Sequence, residues 1–328
     1  MKNIKFNNVY INNHFTLLSS KANNPSILND VDMSIEDYFL NKKTFEEGEV
    51  EYQTLVTRGL LDKENKKPED IDLLIGGDLQ NQLFASNYNA CKYEMPFLGV
   101  FSACSSFIEG IIIGASLIGK NKCRNAMVVT SSNNLVSEKQ FRFPVEYGAL
   151  RKKVNSFSAS GAVSAIISNK KSNIMIESAN IGKVIDMGHT DTNDMGACMA
   201  PAVAETLYDH LKSTGRDINY YDVILTGDLG IYGIEYLKEY LNRKYKLKSN
   251  RIVDAGVMLY NVNKDSDFAG GSGPICAPLI LFTKIIKKYK KILVLGSGSL
   301  HSCMSTNLKK PMVGVSHAVS LEVIKWYM

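Results

Sequence analysis

Cys104 is the residue of this sequence best placed to act as a nucleophile or to face a ligand. It follows a short apolar run that ends at Val100 and precedes a longer one from Phe107 to Ile118, which predicts a strand, a tight turn and a helix. Unpaired N–H groups and the helix dipole favour a thiolate at the start of a helix. Because cysteine is also among the most buried residue types, Cys104 has a second interpretation as a small core residue at a turn.

The helix that positions Cys104 is apolar on nearly every face, as its residues Phe107, Ile108, Ile111, Ile112, Ile113, Ala115, Leu117 and Ile118 show. A helix that is apolar all round is a buried helix. We therefore expect the rest of the chain to pack around it.

The composition excludes several classes of function. The 328 residues are 45% apolar with a net charge of +5, and no Lys/Arg cluster alternates with aromatic residues, so we expect no nucleic-acid partner. The six cysteines are scattered without zinc spacing, which predicts reduced thiols in the cytoplasm and no metal site. The start of the chain is polar and no apolar run approaches the ~20 residues of a membrane span, so we expect no signal peptide and no transmembrane helix. Gly296–Gly298 lacks the helix of a nucleotide fingerprint, and we expect no cofactor.

Alternating apolar strands and helices predict an α/β fold with mostly parallel, buried sheets. Helices are predicted over 45–63, 82–93 and 107–118, strands over 9–11, 71–75, 97–100, 126–130 and 160–168, and an irregular polar stretch over 131–153.

The second half of the sequence repeats the first. Three strings recur in the same order: Asp70–Leu79 as Tyr220–Leu229, Val128–Ser131 as Val294–Ser297, and Ser160–Ser164 as Ser316–Ser320. Each match alone is weak, but together they predict a duplicated α/β unit. With a seam at Asn169–Asn173, the halves are residues 1–169 and 170–328.

A duplicated unit with a cysteine before its central helix resembles the thiolase-like fold, in which βαβαβαββ halves form a five-layer αβαβα sandwich. Longer strings resemble one family more closely, the stage V sporulation protein AD family of spore-forming Firmicutes. The similar strings are Gly77–Gln82, Ala103–Ser106, Glu138–Gly148, Val184–Gly188, Asp194–Gly196, Met199–Ala202, Leu225–Leu229 and Phe268–Gly273. The string around Gln140–Gly148 is long and polar, and is therefore specific.

The resemblance implies a binding role without catalysis. The family binds dipicolinic acid (pyridine-2,6-dicarboxylate) and serves its uptake into the developing spore, with membrane proteins of the same sporulation operon, at the periphery of the spore inner membrane. Dipicolinate could arrive alone or as its calcium chelate. The fold also implies a homodimer, in which the strand near Ala126–Thr130 pairs with its twofold mate.

Two alternatives stay open. The first is a thiolase- or ketoacyl-synthase-like acyltransferase that works through an acyl-Cys104 thioester. Such a reaction needs a base and oxyanion donors, which the fold supplies from His or Asn on loops of the second half. Gly227–Ile231 and Ala269–Pro274 contain neither residue, which leaves Cys104 and His317; His317 also has a plain interpretation as a core histidine. The second alternative is a scaffold of the membrane complex that binds no ligand.

A planar dicarboxylate needs fixed donors. Arg142 can form a bidentate hydrogen bond to one carboxylate, and Lys183 can add a point charge. Alternatively, Arg142 forms a salt bridge to a glutamate of its own loop. Glycine-rich loops can bind anions through their N–H groups. With Cys104 and His317, the predicted ligand residues are Arg142, Lys183, Asp78, Asn81, Gly271 and Ser272.

An acidic cluster follows in the second half, with His189 among Asp186, Asp191 and Asp194. No calcium-loop string is present. We therefore interpret Asp194 as a helix cap, and Asp186 or Asp191 only as contacts for a metal that arrives with the ligand.

Overall fold

The structure is a computed structural model that describes residues 3–20, 25–141 and 152–324. The strands within these ranges are β1 (Ile4–Lys5), β2 (Tyr10–Ser19), β3 (Met33–Ile35), β4 (Leu73–Gly77), β5 (Phe97–Gly99), β6 (Asn125–Ser132), β7 (Phe157–Ser158), β8 (Gly161–Ser168), β9 (Ile174–Asn180), β10 (Ile185–His189), β11 (Val223–Thr226), β12 (Ile252–Asp254), β13 (Gly271–Ser272), β14 (Lys291–Leu300) and β15 (Met312–Val323). The helices are α1 (Phe45–Lys63), α2 (Phe84–Tyr93), α3 (Ser106–Gly119), α4 (Asn134–Phe141), α5 (Met195–Thr214), α6 (Gly230–Tyr240), α7 (Ala255–Tyr260), α8 (Cys276–Ile280) and α9 (Cys303–Asn307).

Thirteen strands form one continuous sheet whose main order is β12-β11-β14-β15-β9-β2-β8-β6-β4-β5. Counted inward from either edge of the sheet, the first two strand pairs are parallel and the next two are antiparallel. The halves join where β2 pairs with β9, at Tyr10 and Met175. The repeated strings therefore lie on strands with equivalent places in the sheet. The division at residue 169 stays a prediction.

Helices cover the sheet in layers. α1 packs on β2, β6 and β8 on one outer side, and α5 packs on β14 and β15 on the other. α3 lies between the halves, because it contacts β4, β6 and β8 of the first half and β14 and β15 of the second. The two halves of the sheet, β12-β11-β14-β15-β9 and β2-β8-β6-β4-β5, each form one layer. With α3 between them and α1 and α5 outside, the thiolase-like five-layer arrangement predicted from the sequence is confirmed.

The central position of α3 follows from its composition. Phe107, Ile108, Ile111 and Ile112 are all nearly inaccessible to solvent, and burying each such side chain contributes roughly 1.5–3 kcal/mol. Gly110 lets the helix approach the sheet, since a Cβ there would lie 2.7 Å from Val128 Cγ1. The predicted buried helix is confirmed, and the turn that leads into it holds Cys104 at a fixed place between the two halves.

Two expectations are wrong. The strand around Ala126–Thr130 is β6, which is hydrogen-bonded to β4 on one side and β8 on the other, so it cannot pair with a partner subunit. The edge strands of the main order are β5 and β12. The stretch expected to be irregular contains helix α4, which the polar sequence disguises because α4 lacks an apolar stripe.

Candidate functional site

A cavity of about 300 Å³ opens beside the start of α3. Its wall combines both halves of the chain: Leu79, Ala103, Cys104, Ser137, Glu138, Phe141, Asn155, Ser156, Ser158, Thr192, Asn193, Met195, Ser272, Ser299, His301 and Thr306. Most of these side chains are small and polar. Within the described part of the wall, Glu138 is the one Asp, Glu, Lys or Arg residue.

A strained turn places Cys104 on this wall. Ala103 has a φ of 49°, which is unfavourable for a residue with a Cβ by about 1–2 kcal/mol. Ser106 compensates, since its hydroxyl accepts the Ser102 N–H at 3.0 Å and donates to the Ala103 carbonyl at 2.7 Å. Strain that the surroundings hold in place is typical of functional sites.

A buried carboxylate, Asp228, organises the groups behind Cys104. One of its oxygens accepts the Ser272 hydroxyl at 2.9 Å and the Gly273 N–H at 3.1 Å, and the other accepts the Ser297 hydroxyl at 2.8 Å. The sulfur of Cys104 lies 3.6 Å from Ser272 Oγ. Because the single Ser272 proton is used on Asp228, the thiol must be the donor toward Ser272.

The electrostatics keep the thiol neutral. Burial, with the carboxylate of Asp228 as the next cause, raises the pKa of Cys104 well above its ordinary value. Burial also raises the pKa of Asp228 to about 6, although its hydrogen bonds oppose that shift. Desolvation and a nearby anion therefore oppose the thiolate that the helix dipole favours at this position.

His317 is held by other residues. Its Nδ1 accepts the Gly182 N–H at 3.1 Å, so Nε2 carries the proton and donates to Ser102 Oγ at 3.2 Å. Burial lowers the pKa of His317 to about 4. The described wall of the cavity does not include His317, so the interpretation as a satisfied core histidine fits these contacts better than the predicted pair with Cys104.

Asp78, predicted to bind the ligand, is occupied by its own loop. It accepts the Gln80 N–H at 2.9 Å, and the Ser86 N–H and hydroxyl at 2.8 and 2.6 Å. Buried Glu49 adds to this acidic region, where burial and the charge of Asp78 raise the Glu49 pKa to about 8. These contacts fix the start of α2.

Asn81 and Lys183 also lie outside the described wall of the cavity. Asn81 accepts the Gln140 amide at 2.6 Å and lines a neighbouring groove. The exposed Lys183 amine is 4.0 Å from Asp209. Arg142 lies outside the described residues. Ser272 is on the wall, whereas Gly271 supports it by pairing with Phe157 between β13 and β7.

Two wall residues present buried polar atoms without a hydrogen-bond partner, Ser137 Oγ and Asn155 Oδ1. Their residues are only 4% and 5% exposed, and an unsatisfied buried polar atom costs about 1–3 kcal/mol. A ligand with polar atoms would satisfy them.

Sequence reasoning missed Ser137, Asn155, Asp228 and His301. Asp228 had a signal, because the repeat aligns Gly227–Leu229 with Gly77–Leu79. The other three had none, since only tertiary packing brings them to the wall.

The acidic stretch before α5 is used structurally. Asp194 accepts the Ala197 N–H at 3.0 Å and caps α5, which confirms the predicted cap. Asp191 bonds Lys152 at 2.9 Å. In the described ranges, no group of three or more His, Cys, Asp or Glu side chains could hold a metal ion.

The chain is similar to known proteins in sequence and in fold. The family model "Stage V sporulation protein AD" matches residues 2–322. Stage V sporulation protein AD of Bacillus subtilis (strain 168) is 33% identical over 319 residues, which are 96% of this chain and 94% of that protein.

Two solved structures are similar at 15% identity and show the fold alone. A single-residue variant of OleA from Xanthomonas campestris gives a TM-score of 0.64 and covers 97% of each chain. 3-Oxoacyl-[acyl-carrier-protein] synthase III of Aquifex aeolicus VF5 gives 0.55 and covers 98% of this chain and 99% of its own.

Proposed function

We propose that this chain, which belongs to the stage V sporulation protein AD family, binds dipicolinic acid and supports its uptake into the developing spore. The cavity beside Cys104 is the proposed site. Its volume of about 300 Å³ is at the lower end for small-molecule pockets and suits a compound with one ring.

The observation that carries this proposal is the pair of unsatisfied atoms on Ser137 and Asn155. Ser137 can donate to a ligand carboxylate or ring nitrogen. Asn155 donates its NH₂ to Asn193 Oδ1 at 3.4 Å, so its free Oδ1 is an acceptor that suits a protonated group of the ligand or the calcium of its chelate. Together with the hydroxyls of Ser156 and Ser299, the two residues form a site for a small polar ligand.

The charge of the ligand needs a counterion. Glu138 is on the wall, and the described wall contains no Lys or Arg, so a bare dianion meets an acidic neighbour. Arg142 follows wall residue Phe141 in the sequence and stays the proposed guanidinium partner. A calcium chelate would offset the dianion by itself and make Glu138 an attractive neighbour.

Calorimetry and thermal melting test the site. We expect saturable binding of dipicolinate, weaker binding of pyridine-2-carboxylate, and a stabilisation of about 2.7 kcal/mol at a ligand concentration 100 times Kd. Ser137→Ala and Asn155→Ala should each weaken binding about tenfold, because each removes one hydrogen bond. Ser316→Ala is the matched control, since Ser316 Oγ is also buried and unpartnered but lies on β15. Equal losses in all three variants, or no binding by the native protein, would contradict the site.

Two additions identify the counterion. Arg142→Ala should remove the preference for dipicolinate over pyridine-2-carboxylate if the guanidinium holds the second carboxylate. Tighter binding with equimolar calcium, lost in Glu138→Gln, would instead assign that role to the metal.

The same samples separate the alternatives. A neutral thiol beside a carboxylate is a poor nucleophile, so we expect no mass gain on Cys104 after incubation with acyl-CoA. A mass gain there would support the acyltransferase. If Cys104 is not acylated and dipicolinate does not bind, the remaining hypothesis is a scaffold that binds no ligand.

The proposal includes a homodimer at the periphery of the spore inner membrane, together with membrane proteins of the same operon. Among the described helices, none has the length and apolarity needed to cross a bilayer. Fractionation of spores should therefore recover the protein with the membrane and release it at high salt or high pH.

A further inference from the structure

We propose that the end of the sheet opposite the cavity docks on an anionic lipid bilayer through a cluster of exposed lysines. This inference rests on the proposed membrane-peripheral role and names the surface responsible for it. We call that surface the basic end; it consists of Lys120, Lys122, Lys170, Lys171 and Lys288.

Backbone pairing places these lysines side by side. Asn125 at the start of β6 pairs with Ser168 at the end of β8, which brings the loop with Lys120 and Lys122 next to the loop with Lys170 and Lys171. The second loop connects to the end of β15, because the Ile324 N–H donates to the Asn173 carbonyl at 2.8 Å. In turn, the Val323 N–H donates to the Lys290 carbonyl at 2.9 Å, two residues from Lys288.

The basic end carries an excess of positive charge. All five lysines are exposed, and within the described residues none of them forms an ion pair. Most of the acids nearby are already bound to cations: Asp30 to Lys284 and Lys287, Asp72 to Arg124, Glu177 to Arg216 and Lys291, and Glu322 to Lys290 and Lys291. Asp222 and Asp70 accept backbone N–H groups, those of Lys290 and Lys291 and that of Lys67. The five lysines therefore outnumber the acids at this end that have no cation partner among the described residues.

The cavity lies at the other end of the molecule. Helix α3 runs from the Cys104 turn to Gly119, directly before Lys120, and its 14 residues span roughly 21 Å at 1.5 Å each. A bilayer at the basic end would leave the cavity open to solvent.

Anionic lipid fits this surface better than the other polyanions. Each lysine near an anionic leaflet strengthens binding about fivefold, and the attraction is screened by salt. The five lysines are not interleaved with exposed aromatic residues in the described loops, as a single-strand binder would require.

Co-sedimentation with vesicles tests the proposal on the full chain. We expect binding to phosphatidylcholine vesicles that contain phosphatidylglycerol, little binding to phosphatidylcholine alone, and loss at ~1 M salt. Replacing all five lysines of the basic end by Gln should weaken binding at least tenfold. The matched control replaces five other exposed lysines, which carry the same charge, by Gln: Lys153, Lys183, Lys238, Lys309 and Lys310.

Each outcome decides the proposal. Equal losses in the two quintuple variants would show attraction by net charge alone, and a larger loss in the control would place the membrane at the cavity end; either result overturns it. Tighter binding to single-stranded DNA than to the anionic vesicles would also overturn it. Unchanged melting of the basic-end variant excludes a folding defect. If that variant is unstable, Lys170→Gln/Lys171→Gln should give a smaller but parallel loss of vesicle binding.

Dipicolinate binding separates this inference from the proposed function. The basic-end variant should bind dipicolinate as the native protein does, because α3 separates the two regions. Loss of vesicle binding with dipicolinate binding retained supports the surface. Vesicle binding that survives in a variant unable to bind dipicolinate would show that the surface stands even if the ligand assignment fails.

Discussion

Ser272 donates its only hydroxyl proton to Asp228 at 2.9 Å, so toward Cys104 it can act only as an acceptor. This direction holds the thiol proton inside the protein and leaves the sulfur as a neutral, weakly polar contact on the cavity wall. Such a cysteine favours the proposed dipicolinate site, because a thiolate would repel an anionic ligand.

The Cys104→Ala variant should fold. The side chain is small, lies at a turn and contacts Ser272 at a long 3.6 Å beside the Asp228 carboxylate, so we expect a loss of ~1 kcal/mol in the free energy of unfolding. Urea denaturation measures it. Cys276→Ala is the control, because Cys276 is fully buried in α8 and should cost at least as much. An insoluble Cys104→Ala protein beside a soluble control would show that Cys104 is structural.

Asp228→Asn should change how stability depends on pH. The folded-state pKa of Asp228 is about 6 and its unfolded value is near 3.9, so the native state binds the extra proton between these values. Ionisation therefore removes up to about 3 kcal/mol of native stability as pH rises from 4 to 6. The Asn variant lacks this loss, although it also loses an acceptor. Unfolding free energies at pH 4, 5, 6 and 7 should show the deficit of the variant shrinking as pH rises, and a constant deficit would contradict the raised pKa.

His317 should stay neutral at physiological pH. Its folded pKa of about 4 lies below the unfolded value of 6.5, so the unfolded chain binds more protons and stability from this group is lost as pH falls from 6.5 to 4. Nitrogen NMR of the imidazole should find the proton on Nε2, because Nδ1 accepts the Gly182 N–H. A signal that titrates near 6.5 would instead indicate an exposed ring.

For the homodimer, which is still a prediction, we propose an interface at an edge of the sheet, and β5 is the better candidate. Leu98 and Phe101 beside this edge are 45% and 48% exposed, and an unpaired edge strand is a template for a second copy. Sedimentation should give twice the 36.4 kDa chain mass, and Leu98→Lys should give the monomer. Met304→Lys, on α9, controls for loss of an exposed apolar residue. A native monomer, or a dimer that both variants retain, would exclude this edge.

Local pattern was sufficient to predict α1, α3 and the strands that carry the repeated strings. Apolar runs report burial directly, and α3 is apolar on every side. Helix α4 was not predicted, because its stability comes from contacts with neighbouring residues that the sequence does not identify. The same limit applies to the site: Cys104 is marked by its own turn, whereas its contact with Ser272 depends on the packing of two halves. His317 was predicted because the two loops of the second half contain no His or Asn, but the strand register directs it toward Ser102 and Gly182, whereas His301 lies on the cavity wall.

The pairing of β7 with β13 also bears on how the protein is made. Cys104 and Ser272 are 168 residues apart in the chain. When the first half has just emerged from the ribosome, the Cys104 turn has been synthesised but the opposite wall of the cavity has not. If the cavity is the binding site, a ligand cannot assist folding during synthesis of the first half. In that case each copy gains the capacity to bind only when its translation is nearly finished, and a fragment truncated before β13 should bind nothing.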